Sequence, residues 1–425
     1  MFEFIKAKKF FFIYYLFIAI YTLTLTRVNI EYSSMERFVY LCVILLPTII
    51  CVRLLPFVVI VFWGFSRCSF TPLFPSTIII ELAMIMLIVM MNTKKISNRI
   101  DKWLIIFCLL YFVFSDWLHY TEQDTIWPVV IATIMVSTCI QNKEDVRLSV
   151  WAFLIMSFLL SILYLSHYQE FMTTYSLEEN IERSSWKNPN EFAFNISCGF
   201  AAGIWLIFYK EESEPKIFRY FIYSVLSFMT IVLIMIASRG AIISTGICFI
   251  IFLFASKQPM YIKFLIVTII ATLIYFLYIN SYFELLLYRL ADSENDATAG
   301  HRTIIWVKKI HYLFQQDSIS QLFGLGIDGC DNASIKIKTH NDFVTALVAH
   351  GVVGLTLFIT FITAPLRYAQ SDNRFQVAVL WIYLFFVCCF LEPLFRGYLS
   401  FIIFYMIIYK MSMVENEYRF YRLKT

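Results

Sequence analysis

Apolar residues fall along this chain in blocks of about fifteen to twenty, separated by short stretches that carry most of the charge. Each block is long enough, or nearly so, for a helix to cross a hydrocarbon layer of about 30 Å. A backbone in lipid must satisfy its own hydrogen bonds, so helices are the expected form. The blocks do not alternate apolar and polar residues as membrane-barrel strands do. About fourteen spans can be placed: 10–25, a pair within 38–65 broken near Arg53 and Pro56, 76–91, 103–117, 126–140, 148–166, 191–209, 217–237, 240–255, 261–279, 341–363, 375–391 and 398–411. The expected fold class is all-α, a polytopic transmembrane helix bundle of about 12–14 spans, with residues 1–425 as a single integral membrane domain.

Basic residues orient the array. Lys94, Lys95, Arg99 and Lys102 form the strongest short basic loop. Lys6/Lys8/Lys9, Lys143/Arg147, Lys210/Lys216/Arg219, Lys257/Lys263, Arg367/Arg374 and Arg419/Arg422/Lys424 fall on the same side of the array, which is therefore expected to be cytoplasmic. Both termini are then inside, and the loops 167–190 and 280–340 lie outside. The N-terminal lysines and the apolar run after them resemble the first two regions of a signal peptide. No small-residue cleavage site follows, so the expected reading is an uncleaved first span.

The loop 280–340 is the largest. Residues 282–290 read as an extension of the preceding span, and 291–300 as an acidic turn. In 301–316, Trp306, Val307, Ile310, Leu313 and Phe314 fit one helical face, and Lys308, Lys309 and Gln315 mark the other. That pattern predicts an amphipathic helix lying on the outer membrane face.

Composition agrees with the blocks: 60% of residues are hydrophobic and 15% charged, against about 25% charged in soluble domains. A net charge of +4 argues against a nucleic-acid partner. The ten cysteines include no C-x-x-C pair and read as small apolar core residues. Only Cys68 and Cys330 fall in outward loops, where nothing in the sequence supports a disulfide between them.

Candidate chemistry collects at the outer boundary. Thr339 and Asp342 have capping-box spacing, with Thr339 as N-cap, which places His340 in a helical first turn. The partial positive charge there disfavours imidazolium, and a neutral imidazole can act as a general base. Asn188, Pro189 and Glu191 open another span with capping signals. Together with Asn190, Arg183 and Lys187 they either cap or form the edge of an outward site. Ser238-Arg239-Gly240 joins two spans with almost no loop, so Arg239 is held at the boundary. It either snorkels to headgroups or binds an anion, for which guanidinium offers paired donors. Arg302 is a second cation on the same side. Three spans begin outside, and their N-termini with Arg239 and Arg302 would make a pocket for an anionic group such as a lipid pyrophosphate. Three other patterns point to structure. Gly324, Gly326 and Gly329 match G-x-G-x-x-G without a preceding strand. Asp292, Glu294 and Asp296 mimic a calcium loop that then fails. His350, beside Gly351 and Gly354, reads as a packed polar residue, and Glu392 as the partner of Arg396.

Ser238-Arg239-Gly240, Gly300-His301-Arg302 with Trp306, Gly324-Leu325-Gly326, and His340-Asn341-Asp342-Phe343 with His350-Gly351-Val352-Val353-Gly354-Leu355 occur in that order. With Asn188-Pro189-Asn190, this series resembles the O-antigen polymerase and O-antigen ligase family over roughly 183–361. It departs from the family in having His301 before Arg302, where Ser or a small residue is usual. The resemblance implies a C-type glycosyltransferase-like fold and undecaprenyl-pyrophosphate-linked oligosaccharide donors. It also implies a metal-independent transfer, without a cofactor, on the periplasmic face of a bacterial inner membrane. In that picture Arg239 and Arg302 hold the pyrophosphate, and His340 positions or deprotonates the acceptor hydroxyl. Arg183, Asn188, Asn190 and Asn341 would contact substrate, and chain-length regulator and flippase proteins are candidate partners.

The expected function is a surface-polysaccharide polymerase, with the O-antigen ligase as alternative; the motifs do not separate the two. A lipid-linked oligosaccharide transporter is the alternative of another class. It would show internal repeats and midplane polar residues, whereas here no repeat is visible and the candidates cluster at the boundary. A non-catalytic scaffold is a third class.

Overall fold

The computed structural model describes residues 14, 17–18, 39, 42–44, 54–68, 107–115, 140, 143–168, 189–208, 216–236, 238–255, 259–279, 302–333, 338–369, 374–395 and 399–422. Among them the fold is all-helical, without a strand. In chain order the helices are α1 (Leu55–Cys68), α2 (Lys143–Ser166), α3 (Pro189–Phe208), α4 (Lys216–Ile236), α5 (Arg239–Ala255), α6 (Met260–Ile279), α7 (Arg302–Phe314), α8 (Ser318–Phe323), α9 (Gly326–Asn332), α10 (Asp342–Tyr368), α11 (Arg374–Phe390) and α12 (Leu399–Arg422). Residues 107–115 are also helical. The expected spans 76–91 and 126–139, the extension 282–290, the acidic turn 291–300, Arg183, Asn188 and Arg396 lie outside the described residues. So does the chain between 45 and 53, on which the pairing of the second and third spans depends.

Among the described residues three helices, α2, α4 and α10, are long and apolar enough to cross a membrane, and α5, α11 and the apolar part of α12 are shorter apolar helices. Large apolar side chains also face outward in the first turns of α4 and along the length of α6. Ile217, Tyr220 and Phe221 do so on α4, and Met260, Tyr261, Phe264 and Tyr275 on α6. Contiguous apolar surface of this kind costs free energy in water and none in lipid. These features point to a membrane protein.

Small and hydroxylic residues join the helices. Gly199 of α3 lies so close to α2 that a Cβ would fall 2.0 Å from Ser157 Oγ. Ser157 in turn donates to the Asn195 carbonyl of α3 at 2.7 Å. Ser197 of α3 bonds Tyr383 of α11 at 2.6 Å, and Trp381 Nε1 of α11 donates to Ile362 O of α10 at 2.7 Å. Close approach at small residues, with hydroxyl bonds across helices, is how helices associate where lipid removes the hydrophobic drive. Residues 401–409 of α12 are all buried, so that helix is apolar on every side and runs through the core.

Several expected boundaries shift. Helix α2 starts at Lys143, so Arg147, expected in a cytoplasmic loop, is a buried helical residue. Cys68 ends α1 instead of lying in a loop, and Cys330 is buried in α9 with its sulfur outside any disulfide, so a Cys68–Cys330 bridge is not formed. Pro189 occupies the first position of α3 as its sequence predicts, where a missing N–H costs nothing.

The largest change is in α10. Its sequence reads as one span, but Gly351 (φ 71°, ψ −170°) breaks it into two helices. Gly324, which ends α8, has φ 86° and ψ −169°. The two glycines bring two backbones into contact. A Cβ on Gly324 would lie 2.2 Å from Ala349 O, and one on Gly351 2.2 Å from Leu322 O. Leu325 N–H donates to Val348 O at 3.0 Å across the same contact, which satisfies a carbonyl that the break frees. The first glycine of the stretch 324–329 thus serves helix packing. His350, at the break, is fully buried against Phe112 and Phe395, with Nδ1 2.9 Å from Ser115 Oγ. The expected packed polar residue is what the structure shows.

Helix α7 forms where expected but is turned about its axis. Ile305, Lys309 and Leu313 are buried, and Trp306 and Ile310 are partly so, whereas Val307 and Phe314 are exposed. Lys309, expected on the polar face, has Nζ on the carbonyls of Cys330 and Asp331 at the end of α9. A lysine commonly caps a helix C-terminus in this way. Lys309→Ala is expected to destabilise the protein by about 1.5–3 kcal/mol, the worth of hydrogen bonds from a charged donor. The exposed Lys308→Ala should stay within about 0.5 kcal/mol of wild type. Thermal unfolding in detergent compares the two, and equal midpoints would remove Lys309 from the fold's supports.

Candidate functional site

The site is built around the turn after α11. Leu391, Leu394 and Phe395 are buried to 2% exposure or less, so the turn is anchored in the core. Between them stands Glu392, fully buried, in the left-handed conformation at φ 56°. An acid just beyond a helix C-terminus is disfavoured by the helix dipole, so its partners must hold it. Its Oε1 accepts from Thr339 Oγ1 at 2.8 Å and from Thr345 Oγ1, and its Oε2 accepts the His340 backbone N–H at 3.0 Å. Nearby, the Asp342 carboxylate accepts from Leu394 N and Phe395 N, each at 3.3 Å. Two carboxylates therefore stitch the start of α10 to the turn 391–395.

This corrects the expected cap. Asn341, not Thr339, is the N-cap of α10, its Oδ1 accepting from Phe343 N at 2.9 Å and Val344 N at 3.1 Å. The reason is placement: the Thr339 hydroxyl is drawn to the Glu392 carboxylate, to which it donates, and the Asn341 side-chain oxygen takes the first N–H groups of the helix. His340 consequently stands just before the N-cap instead of in the first turn. It is half-buried with φ 52°, and its backbone N–H is spent on Glu392. Trp306 of α7 closes the same strap by donating to Thr339 O at 2.8 Å.

The two arginines arrive from separate helices. Arg302 is the first residue of α7, and its Nη1 donates to Phe390 O, the last carbonyl of α11, at 2.9 Å. Arg239 is the first residue of α5. Gly240 beside it packs on the same place, since a Cβ there would lie 3.0 Å from Phe390 Cβ and 2.9 Å from Leu391 Cδ2. Burial pushes the Arg302 guanidinium below its ordinary value, and the nearby Arg239 charge pushes further; Glu392 acts against both. A cation at a helix N-terminus is unfavourable by about 0.3–1 kcal/mol in its own helix. Here two such cations sit at two N-termini within reach of each other's field. Charge placed against local stability in this way suits an anion that arrives from outside.

Asn190, in the first turn of α3, joins the group through Ser238. Ser238 Oγ donates to Asn190 Oδ1 at 2.9 Å, and Ser238 O accepts from Ile242 N at 3.0 Å to start α5. The structure thus brings together Arg239, Arg302, His340, Asn341 and Asn190. Asn341 and Asn190 each use their side-chain oxygen inside the protein. Arg183 and Asn188 lie outside the described residues. Glu392 was read from the sequence as the partner of Arg396; its tie to Thr339, His340 and Thr345 is what sequence reasoning missed. The signal for it was an acid between an apolar helix C-terminus and Pro393. No protein-family model matches the chain, and no curated protein matches it.

Proposed function

We propose that the protein is a membrane glycosyltransferase that joins lipid-linked glycan units, acting as a surface-polysaccharide polymerase at the periplasmic face of a bacterial inner membrane. The supporting observation is that Arg302, in the field of Arg239, is tied to Phe390 O, two residues before the Glu392 that holds the backbone of His340. In this reading the chain is a polytopic bundle of C-type glycosyltransferase form with both termini cytoplasmic. The donor is a glycan on undecaprenyl pyrophosphate. The acceptor hydroxyl oxygen attacks the anomeric carbon, and the bond from that carbon to the pyrophosphate oxygen breaks. The hydroxyl proton passes to His340, and the lipid pyrophosphate departs with the bond's electron pair. Two guanidiniums offset the charge that grows on the departing oxygen, which is where fixed cations lower a barrier most.

The order of short motifs shared with the O-antigen polymerase and ligase family supports the same reading. A ligase that passes the glycan to lipid A–core would use the same residues. Deleting the gene separates the two: loss of a polymerase leaves lipopolysaccharide with one repeat, whereas loss of a ligase leaves polymer on its carrier and bare core. Helix α10, broken beside the buried His350, is the observation that favours a transporter of lipid-linked sugars, since broken helices line transporter sites.

Full-length protein in lipid nanodiscs with undecaprenyl-pyrophosphate oligosaccharide is expected to produce a ladder of longer chains on a gel. His340→Ala should slow chain formation about 10²–10⁴-fold, the usual share of a general base. Full activity in both His340→Ala and Arg239→Ala would overturn the site. Movement of the donor across proteoliposome membranes without chain growth would favour the transporter.

A further inference from the structure

We infer that Glu392 is a positioning residue that sets the place of His340 relative to Arg302 and Arg239, an inference that rests on the glycosyl-transfer reading. The geometry behind it is a single carboxylate with two jobs. One oxygen holds two threonine hydroxyls, from Thr339 on one side of His340 and Thr345 in α10, and the other holds the backbone N–H of His340 itself. His340 and Glu392 both occupy the left-handed region, at φ 52° and φ 56°. Residues with a Cβ avoid that region unless their surroundings impose it. Here each residue is part of what imposes it on the other. Glu392 also stands two residues after Phe390, whose carbonyl takes the Arg302 guanidinium. The spacing between the base and the cation is therefore fixed through Phe390, Leu391 and Glu392, of which the last two are buried. A tie of this kind acts on rate more than on binding, because misplacing a catalytic group by about 1 Å can cost about 10²-fold.

The role is one of shape, which separates two variants. Glu392→Gln keeps the reach: its carbonyl can face His340 N–H while its amide faces the hydroxyls, which rotate to accept. Glu392→Ala removes the tie. In the nanodisc assay, Glu392→Ala is expected to lower kcat about 10²-fold with KM changed less than about threefold, and Glu392→Gln to recover most of the loss. In a His340→Ala background the further loss from Glu392→Ala should vanish, because there is no base left to position.

An activity-free readout keeps the inference separate from the function. Diethyl pyrocarbonate modification of His340, followed by mass spectrometry, is referenced to the exposed His311 in the same molecule. The His340/His311 rate ratio is expected to rise several-fold in Glu392→Ala and to stay within about twofold of wild type in Glu392→Gln. An unchanged ratio in Glu392→Ala, or an equal rise at both histidines, would overturn the positioning role. Should Glu392→Ala not fold, Glu392→Asp is read in the same way: it keeps the charge but is one methylene too short to reach both sides. If the ratio shifts as expected while wild type makes no chains, the tie stands and the glycosyl-transfer reading falls.

Discussion

Gly351→Ala is expected to leave little folded protein. At φ 71° and ψ −170° the residue occupies a region that is essentially closed to side chains. The strain alone is worth about 1–3 kcal/mol. The new Cβ would also stand 2.2 Å from Leu322 O, 2.3 Å from Leu322 C and 2.5 Å from Phe323 N. All three are backbone atoms, so no rotamer change relieves the overlap. Separating the backbones would also stretch the Leu325 N–H to Val348 O bond, the one that satisfies a carbonyl freed by the break. The combined destabilisation should be on the order of 4 kcal/mol or more, in the range reserved for named structural failures. Gly324→Ala, which meets Ala349 O at 2.2 Å from the other side of the contact, should behave alike. Gly246→Ala is the control. It lies inside α5 with nothing within 4 Å of its added Cβ, so it should be neutral or stabilising by about 0.5–1 kcal/mol. Thermal unfolding in detergent, with the fraction of monodisperse protein, compares the three. A Gly351→Ala midpoint equal to that of Gly246→Ala would contradict the close backbone contact.

That contact also shows where the sequence stops being legible. Hydropathy runs unbroken from 341 to 363, and a glycine inside an apolar span is ordinary. Nothing local marks Gly351 as a break, because the partner that requires it, Gly324, is defined only once α8 is folded against it. Local signals read correctly where the cause is local. Pro189 starts α3, and Arg239 starts α5 after a two-residue link, because proline geometry and short connections act within a few residues. Lys309 is an intermediate case. It lies on the stripe of Ile305, Lys309 and Leu313 that is buried, so helical spacing held the answer, but its charge argued for the opposite face. The carbonyls at the end of α9 that reverse this are distant in sequence. The tie of Glu392 and the cap at Asn341 were hidden for the same reason: the carboxylate that positions Thr339 stands 53 residues away. The residues of the candidate site were thus largely visible in the sequence. What joins them was not, since each tie crosses between elements.

Arg302 carries an expected effect on activity of the same order as that of His340, and a lysine in its place is the more informative variant. Arg302→Ala should lower kcat/KM about 10³-fold, as loss of a guanidinium on a departing phosphate does elsewhere. That corresponds to about 4 kcal/mol of transition-state stabilisation. The fold should suffer less: the bond to Phe390 O is one hydrogen bond at a helix end, worth about 1.5–3 kcal/mol for a charged donor. Arg302→Lys keeps a cation but loses the planar fork, so a single ammonium nitrogen cannot reproduce the parallel paired bonds to two oxygens of a pyrophosphate while a separate nitrogen holds Phe390 O. A partial loss at pH 7 follows. The pH dependence then distinguishes charge from shape. Burial, and after it the Arg239 charge, disfavour the protonated form at this position, with Glu392 opposing them. Arginine titrates too high for this to matter, whereas lysine ordinarily titrates near 10.4 and would be brought below that value. The Arg302→Lys enzyme should therefore lose activity as pH rises toward 9, where wild type does not, because deprotonation removes the cation that stabilises the leaving group. Its residual activity is fully present below the lowered lysine value and disappears above it. Rate profiles of the two proteins between pH 6 and about 9.5 are compared in the reconstituted assay, over a range set by the reference lysine value. Parallel profiles would mean that the charge at 302 does not act in the rate-limiting step, and the pyrophosphate would then have to be held by Arg239 alone.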